Sequence, residues 1–425
     1  MNAADIFYAF PRKIDLGLAR VRAALDALGN PQDYLPPIIH VAGTNGKGST
    51  VAFLRAIVEA SGQTAHAYTS PHLVAIHERW RIGGKMIDEA HLLAIAQRVQ
   101  TLSQDIPVTV FEAETIVAFL AFSGAPADYT LLEVGLGGRL DATNVVDNPA
   151  MTIITPVDFD HAEMLGNTLS LIATEKAGIL KPNVACVVGR QEAPALAAIE
   201  DRAISIGAPL YVFGRDWDCF AQNGRLVVQS EDRLLDLPPP ALQGAHQYEN
   251  AGAAALAMSL LGVDNDAIAN GIARAVWPAR LQKLVSGPYW QIARQFDGEV
   301  WLDGGHNPHG ARAACAYMTT LGRHDHRPFG LVAGQLSTKD QSGFFAAFQE
   351  AAPFVVCVPV RSSDSGVPPT KLNQAALHAG LESVVGETPL DGVKAAFHRL
   401  GQRARILICG SLYLAGDVLG EGDLN

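Results

Sequence analysis

The residues with the clearest chemistry lie in a glycine-rich stretch, HVAGTNGKGST, that runs from His40 to Thr50. It follows a predicted strand and opens a predicted helix over about 49–60, so backbone N–H groups can turn toward phosphate oxygens. Lys47 adds a mobile positive charge for the outer phosphates, and Ser49 or Thr50 can place a hydroxyl on Mg²⁺. The stretch therefore predicts a nucleoside-triphosphate site. Its residues are Gly43, Thr44, Asn45, Gly46, Lys47, Gly48, Ser49 and Thr50.

This stretch departs from the usual phosphate-binding loop, whose pattern is G-x-x-x-x-G-K-[ST]. Val41 stands where the first glycine belongs, and Gly48 separates Lys47 from Ser49. The alternative is a glycine-rich structural turn that binds nothing. We favour phosphate binding because glycines, a lysine and two hydroxyls converge between a strand and a helix.

A second candidate is a carboxylate at the end of a predicted buried strand. Glu133 lies near the end of the run 129–134, and open α/β sheets bind ligands beyond the carboxyl ends of their strands. Carboxylate oxygen is a preferred ligand of Mg²⁺. Position alone leaves a magnesium ligand and a solvated glutamate equally open.

The elements that position these residues alternate between short apolar runs and alanine- and leucine-rich stretches. This alternation predicts an α/β fold with two domains. We expect an N-terminal P-loop-type, mainly parallel sheet with helices on both faces, and a smaller C-terminal Rossmann-like α/β domain. The predicted strands are Ile38–Ala42, 64–68, 129–134, 151–155 and 184–188 in the first series, and 300–302, 330–333, 354–358 and Arg405–Cys409 in the second.

The predicted domains are 1–283 and 284–425, with the run 237–240 as a competing boundary. Each predicted sheet is about the size of a domain. The cleft between two such domains is the default position for a ligand site.

Composition limits the partners that the protein can have. Of 425 residues, 48% are hydrophobic, which excludes disordered and fibrous proteins. The 32 basic and 43 acidic residues give a net charge of −11, which argues against general binding to nucleic acid or to anionic membranes. The scattered cysteines, the polar N-terminus and the lack of a long apolar run predict a cytoplasmic protein without a membrane partner. Positive charge for anionic ligands must therefore be local.

The variant glycine-rich loop is also where a family resemblance appears. GTNGKGS resembles the loop of folylpolyglutamate synthases and bifunctional dihydrofolate/folylpolyglutamate synthases, which are related to the Mur ligases. Other segments fit in order and span about residues 14–416. They are IDLGLARV, YTSPHL, FEAET, EVGLGGRLDATN, EKAGILK, HQYENA, WPARLQ, DGGHNPHGA and GSLYLAG.

The resemblance implies a metal site and a modified lysine. Glu133 matches a family ligand of Mg²⁺, Ser70 and His161 match ligands of a second Mg²⁺, and Ser49 supplies a hydroxyl. Lys176, near the end of a predicted helix, matches a lysine that is carbamylated. A carbamate would convert this cation into an oxygen donor that supports the metal site. Without the family, His161 reads as a packing residue and Lys176 as a lysine that complements the helix dipole.

Late in the chain, the resemblance implies contacts with nucleotide and with glutamate. Asp303 and Arg280 match residues that reach ATP, and Asn250 matches an asparagine at the nucleotide. His306 matches a histidine that helps to position glutamate. Weaker candidates for phosphate or glutamate contacts are Lys339 and Ser411.

Three further segments match the dihydropteroate pocket of bifunctional family members. Without the family, Ile14, Leu16, Leu18 and Val21 would indicate one face of an amphipathic helix. The presence of Asp15 and of the segment 109–112 favours a bifunctional enzyme over one that only elongates. The implied folate-binding residues are Asp15, Leu16, Gly17, Leu18, Thr109, Val110, Phe111, Glu112, Leu140, Asp141 and Ala142.

The implied reaction is ATP-dependent ligation of L-glutamate to dihydropteroate, and to tetrahydrofolate and its polyglutamates, through an acyl phosphate. ATP and Mg²⁺ are the implied cofactors, and we expect a monomer. The residues expected to act in catalysis are Lys47, Lys176, Asp303 and His306.

Three alternatives stay open. The enzyme could only elongate folates, or it could be a Mur-type ligase of cell-wall synthesis. Against a Mur-type ligase, no UDP-binding domain is expected ahead of the loop, and FEAET and DATN are present. The protein could also be a nucleotide-binding switch without chemistry, although a switch would not need the residues from Asp303 to His306.

Overall fold

The structure is a computed structural model that describes residues 2–351 and 353–421. The chain divides into two compact units. Unit 1 contains the residues up to Ala241 together with Gln247–Val276, and unit 2 contains Leu242–His246 together with the residues from Trp277 onward. The functional domain limits given above, 1–283 and 284–425, stay a prediction.

Unit 1 contains an eight-stranded sheet. Its strands are β1 Ile38–Ala42, β2 Ala65–Tyr68, β3 Trp80–Ile82, β4 Lys85–Met86, β5 Tyr129–Glu133, β6 Met151–Ile154, β7 Cys186–Val188 and β8 Leu210–Val212. Their order is β4-β3-β2-β5-β1-β6-β7-β8. The pairings β2–β3 and β3–β4 are antiparallel, and the others are parallel. The strand β1 is buried along its whole length and lies between β5 and β6, as expected for a parallel sheet covered by helices.

Two apolar cores pack on this sheet. The helices of unit 1 are α1 Ala3–Tyr8, α2 Ala19–Ala27, α3 Lys47–Ala60, α4 Glu89–Leu102, α5 Val110–Ser123, α6 Ala162–Leu165, α7 Leu169–Ala177, α8 Ala193–Ile206, α9 Ala245–Leu260 and α10 Asn265–Ile272, of which α9 begins in unit 2. One core joins α1, α2, α4 and α5 to Tyr68, Trp80 and Leu132. The other joins α7 and α8 to Ala42 and Ile154.

A three-stranded antiparallel sheet in unit 1 was not predicted. It consists of β9 Trp217–Gln222, β10 Arg225–Ser230 and β11 Leu234–Leu237. Asn223 and Gly224 join the first two strands, and both have positive φ. An Asn-Gly pair favours this kind of two-residue hairpin turn, so the signal was present in the sequence.

Unit 2 contains a six-stranded sheet in the order β12-β13-β17-β14-β15-β16, in which only β12 is antiparallel. The strands are β12 Gln282–Lys283, β13 Glu299–Leu302, β14 Phe329–Ala333, β15 Phe354–Cys357, β16 Ser383–Val385 and β17 Arg405–Cys409. The helices are α11 Gly287–Gln295, α12 Pro308–Asp325, α13 Gln341–Ala346, α14 Pro369–His378, α15 Pro389–Leu400 and α16 Leu412–Gly420.

The predicted α/β fold class is confirmed, with a mainly parallel first sheet and a smaller second one. All strands of the two predicted series are present, and their ends differ from the prediction by at most two residues. None of the helices in the described part of the chain is both long enough and apolar enough to span a membrane.

Two local predictions need correction. The helix α3 begins at Lys47 rather than Ser49, because Gly46 adopts a left-handed conformation and serves as its N-cap. The alternative reading of Ile14, Leu16, Leu18 and Val21 as one helix face is wrong. Residues 11–17 form no helix, and the Ile14 side chain is 55% exposed. Pro11 and Gly17 disfavour a helix across this segment.

Candidate active site

The glycine-rich loop between β1 and α3 passes so close to its neighbours that side chains are excluded at two positions. Gly43 has a φ of +146°, and a Cβ there would lie 1.8 Å from the Oγ1 of Thr155. Gly46 has a φ of +93°, and a Cβ there would lie 2.4 Å from the Oδ1 of Asn250. The loop then leads directly into α3, whose first backbone N–H groups have no partner within the helix. This geometry is that of an anion-binding turn.

Two lysines meet at this loop. The Nζ of Lys47 donates to the carbonyl oxygens of Gly43 and Thr44, at 3.2 and 3.4 Å. The Nζ of Lys176, at the end of α7, donates to the same Gly43 oxygen at 2.9 Å. Burial, and secondarily the charge of Lys47, lowers the pKa of Lys176 to about 7. Lys47 therefore gives the loop the local positive charge that an acidic protein needs in order to bind phosphates.

The hydroxyl groups at the start of α3 suit a phosphate-bound cation. Ser49 is buried, and its Oγ accepts a hydrogen bond from the Nε2 of Gln247 at 3.3 Å. The Oγ1 of Thr50 is buried and has no hydrogen-bond partner. A buried hydroxyl without a partner costs free energy unless a ligand or water satisfies it. These residues therefore fit the nucleotide and Mg²⁺ expected from the sequence.

Two of the predicted metal ligands lie side by side. The backbone N–H of Ser70 donates to the Oε2 of Glu133 at 3.2 Å, and Glu133 is only 5% exposed. Within residues 2–351 and 353–421, no group of three or more His, Cys, Asp or Glu side chains is arranged to hold a metal. This arrangement suits Mg²⁺, which usually binds through one or two carboxylates together with substrate phosphates and water.

His161 belongs to a loop that is fastened to the phosphate loop. The hydroxyl of Thr44 donates to the Asp158 carbonyl and accepts from its N–H, and the N–H of Thr44 donates to the carbonyl of Pro156. The backbone N–H of His161 donates to Asp160. The imidazole Nε2 also lies 3.7 Å from an oxygen of that carboxylate. The residues following β6 thus carry His161 beside the loop that begins at Gly43.

Gln247 was missed by sequence reasoning. Asn250, predicted to lie at the nucleotide, is buried on α9, and its Nδ2 donates to the Oε1 of Gln247 at 3.1 Å. Gln247 in turn contacts Ser49, so the two amides link α9 to the phosphate loop. The signal was the i, i+3 spacing of Gln247 and Asn250 in HQYEN, which places both on one helix face.

The first two predicted folate segments are joined by Arg20, which was also missed. Arg20 forms ion pairs with Asp15 and with the buried Glu112, each at 3.2 Å. Thr109 caps α5, and its N–H donates to Glu112 at 2.7 Å. Arg20 lies within IDLGLARV, five residues after Asp15, but sequence spacing could not show that it reaches Glu112.

The loop that leads into the third folate segment packs on Phe111 of the second. A Cβ at Gly135 would lie 2.3 Å from the Phe111 ring, so this loop packs tightly on the start of α5. The same loop continues to Leu140, Asp141 and Ala142, where the Asp141 side chain is buried. Within unit 1, Arg20 thus bridges the first two segments, and the loop that leads into the third packs on Phe111 of the second.

In unit 2, three predicted residues, Asp303, His306 and Ser411, lie beyond the ends of β13 and β17, and a fourth follows β14. The buried Asp303 accepts hydrogen bonds from the N–H groups of Leu281 and Gly305, at 2.8 and 2.7 Å. Burial raises the pKa of Asp303, and Arg280 and these hydrogen bonds oppose the rise. The Nδ1–H of His306 donates to the Gly304 carbonyl at 3.0 Å. Ser411 caps α16, while Lys339 lies in the loop that follows β14.

The backbone around Arg280 is strained. Ala279 and Leu281, on either side, have φ values of +54° and +45°, a backbone conformation that residues other than glycine rarely adopt. A Cβ at Gly304 would lie 2.7 Å from the Nη1 of Arg280. Strain of this kind persists where the surroundings hold a residue for function, which supports the predicted role of Arg280.

Comparison with known proteins assigns this chain to a family. A comparison with models of protein families finds no match. The chain is 32% identical to the dihydrofolate synthase/folylpolyglutamate synthase of Escherichia coli, over 96% of this chain and 92% of that protein. The E. coli FolC structure in complex with DHPP and ADP has a TM-score of 0.86 and covers 99% of this chain and 97% of its own. The chain belongs to the dihydrofolate synthase/folylpolyglutamate synthase family.

Two further relatives of this family bear on the site and on chain length. A bifunctional folylpolyglutamate synthase/dihydrofolate synthase solved with Mn, AMPPNP and L-glutamate bound has a TM-score of 0.84 at 31% identity, covering 100% of this chain and 98% of its own. The chain spans only 48% of the probable bifunctional folylpolyglutamate synthase/dihydropteroate synthase of Halobacterium salinarum, to which it is 34% identical over 92% of its own length. The resemblance predicted from the motifs is confirmed; the individual site residues stay predictions.

Replacing Gly46 with alanine should weaken nucleotide binding, because the new Cβ would collide with Asn250 and displace the loop. We expect the Kd for ADP, measured by calorimetry with Mg²⁺, to rise about tenfold or more. Gly62→Ala is the matched control, since Gly62 also has positive φ, at +79°, but nothing lies within 4 Å of its Cβ position. Binding by Gly46→Ala at the affinity of the unmodified protein would contradict the assigned loop geometry.

Proposed function

We propose that this protein is an ATP-dependent ligase that joins L-glutamate to dihydropteroate, forming dihydrofolate, and to tetrahydrofolate and its polyglutamates. The observation that carries the proposal is the convergence of Lys47 and Lys176 on one carbonyl of the phosphate loop, which follows β1, the strand paired with that of Glu133, and leads to Ser49 on α3. The family membership of the chain supports the choice of substrates.

The reaction needs an activated acid, because a carboxylate is a poor electrophile. The γ-phosphoryl group of ATP passes to the carboxylate of the folate substrate, which yields an acyl phosphate and ADP. The amine of L-glutamate then attacks the acyl carbon, and inorganic phosphate leaves as the amide forms. Negative charge builds up in both steps, and Lys47, Arg280 and the first N–H groups of α3 would stabilise it.

Mg²⁺, when bound, would neutralise charge on the phosphates and on the transferred group. Ser49, Ser70, Glu133 and His161 are the residues proposed to hold it. The buried position of Ser49 and Glu133, and the direct link between Ser70 and Glu133, support this set.

In unit 2, His306 is proposed to orient the incoming glutamate. Its Nδ1–H donates to a carbonyl oxygen, which cannot itself donate, so a neutral ring has Nε2 as an acceptor. An acceptor nitrogen suits the amine that must lose a proton as it attacks. Asp303 is proposed to reach ATP and, through Leu281 and Gly305, to hold Arg280 and His306 in place.

Lys176 is proposed to be carbamylated. The neutral amine attacks CO₂, an N–C bond forms, and one proton is released. With a pKa of about 7, Lys176 has a substantial neutral fraction at pH 7, whereas an ordinary exposed lysine, with a pKa near 10.4, is almost entirely protonated. Raising the pH above 7 therefore increases the reactive fraction.

Lys176→Arg keeps the positive charge but cannot form the same carbamate, so we expect it to lose most of the ATP-dependent phosphate release. Lys181→Arg, in the same EKAGILK segment, is the control and should keep its activity. Depletion of CO₂ should inactivate the unmodified protein, and bicarbonate should restore it faster at pH 8 than at pH 6. Full activity of Lys176→Arg would exclude the carbamate.

Lys47→Ala should abolish turnover, with a loss of about a hundredfold or more, because the charge facing the outer phosphates disappears. Circular dichroism and the Tm should show an intact fold. Lys85→Ala, at an exposed position on β4, should leave turnover unchanged. Near-normal activity in folded Lys47→Ala would remove the phosphate-loop assignment.

The reaction itself is tested by phosphate release from purified protein with ATP, Mg²⁺ and L-glutamate. We expect release to depend on glutamate and to occur with dihydropteroate as well as with tetrahydrofolate. Release with tetrahydrofolate only would indicate an elongating enzyme, and release with UDP-muramoyl peptides would indicate a Mur-type ligase. Tight ATP binding without release on any substrate would indicate a nucleotide-binding switch.

We further propose that the enzyme acts as a cytoplasmic monomer. All five cysteines are buried and free, which suits a reducing compartment. The net charge of −11 opposes close self-association.

A further inference from the structure

A buried hydrogen-bonded chain connects the central strand of unit 1 to the third folate segment. His40 lies on β1, three residues before Gly43, and is completely buried. Its Nε2 lies 2.9 Å from the Oγ1 of Thr143, and this oxygen lies 2.5 Å from the Oδ1 of Asp141. None of the predicted roles of the site includes His40 or Thr143.

The direction of each hydrogen bond follows from the groups present. Burial raises the pKa of Asp141, but the N–H groups of Leu136 and Thr143, which donate to it at 2.8 and 3.0 Å, oppose the rise and favour the ionised carboxylate, which only accepts. The hydroxyl of Thr143 therefore donates its single proton to Asp141 and must accept from His40. His40 consequently carries its proton on Nε2.

Two further observations agree with this neutral form of His40. Its Nδ1 is buried without a hydrogen-bond partner, as expected for the unprotonated nitrogen. Burial, and secondarily the charge of Lys181, lowers the pKa of His40 to about 3, so the ring stays neutral at physiological pH. The chain is therefore a fixed structural connection at the pH at which the enzyme works.

The connection pins one side of the loop that carries Leu140, Asp141 and Ala142. Asp141 caps the short helical turn Ala142–Val145 through the N–H of Thr143. The other side is held by Asn144, whose Nδ2 donates to the carbonyls of Arg139 and Gly178 at 3.1 and 3.0 Å. The loop is thus fastened both to β1 and to the end of α7.

We propose that His40 and Thr143 are positioning residues for the pterin substrate. They fix the Asp141 carboxylate and thereby the backbone of the segment 140–142. Because protein donors from Leu136 and Thr143 occupy both oxygens of Asp141, its carboxylate holds the loop in shape. The inference rests on the proposed function, since it concerns the folate subsite of that reaction.

The effect should be confined to the folate subsite. The phosphate loop, although it follows the same strand, is held separately: the N–H of Thr155 donates to Ala42, and the N–H of Thr44 donates to Pro156. Loss of the hydrogen-bonded chain should therefore disturb folate binding before it disturbs ATP binding.

The test compares substitutions that keep or remove each hydrogen-bonding group. Thr143→Val is nearly isosteric but removes the hydroxyl, and we expect it to raise the KM for dihydropteroate about tenfold. The KM for ATP should stay within about twofold. Thr143→Ser keeps the hydroxyl and should resemble the unmodified enzyme. His40→Leu should act like Thr143→Val, and His40→Gln, which keeps an N–H donor, should recover part of the loss.

Two matched controls separate positioning from general loss of stability. Thr130 is a buried threonine on the adjacent strand β5 whose hydroxyl has no partner, so Thr130→Val should leave both KM values unchanged. His66 is a buried histidine on β2 that contacts the carbonyl of Ala125. His66→Leu should lower the Tm without a selective change in the KM for dihydropteroate.

The inference is overturned if Thr143→Val and His40→Leu leave the KM for dihydropteroate unchanged, or if both KM values rise together. If Thr143→Val does not fold, the pair His40→Leu and His40→Gln decides by the same criterion. An unmodified enzyme that releases no phosphate with dihydropteroate would defeat the proposed function instead. In that case the Kd for dihydropteroate replaces the KM as the quantity compared among the same variants. Failure of the unmodified protein to bind dihydropteroate overturns the inference.

Discussion

The site in unit 1 depends on a backbone turn at Gly43, where there is no room for a side chain. With Thr155 only 1.8 Å from a Cβ at this position, the chain must pass here as bare backbone, and its carbonyl oxygen is left exposed to two lysines. Lys47 places positive charge beside the first turn of α3, in a protein whose overall charge is −11. Phosphate binding in an acidic protein requires this local concentration.

Burial gives the surrounding polar groups their individual properties. Lys176 has a pKa near 7 because it is buried next to Lys47. Burial raises the pKa of Asp303 and of Asp141, and the backbone N–H groups that donate to them oppose the rise. The same principle keeps His40 neutral inside the sheet. Few of these groups face solvent, so their geometry is set by the fold rather than by hydration.

Much of the fold and of the site could be predicted from local patterns. The parallel strands read as continuous apolar runs, and the motifs from GTNGKGS to DGGHNPHGA indicated the family and its candidate residues. The contributions of Arg20, Gln247 and His40 could not be predicted, because each acts on a partner far away along the chain. The hairpin at Asn223 and Gly224 was overlooked although its signal was local.

By itself, the sequence determined the class of fold, the positions of the chemical motifs along the chain and the family. These follow from apolar periodicity and from motifs of adjacent residues. Only the tertiary structure decided that Lys176 reaches the carbonyl of Gly43, 133 positions away, and that His40 meets Thr143 across 103 positions. Such contacts arise when parallel strands bring distant segments to one edge of a sheet, and burial at that edge then sets which groups carry charge.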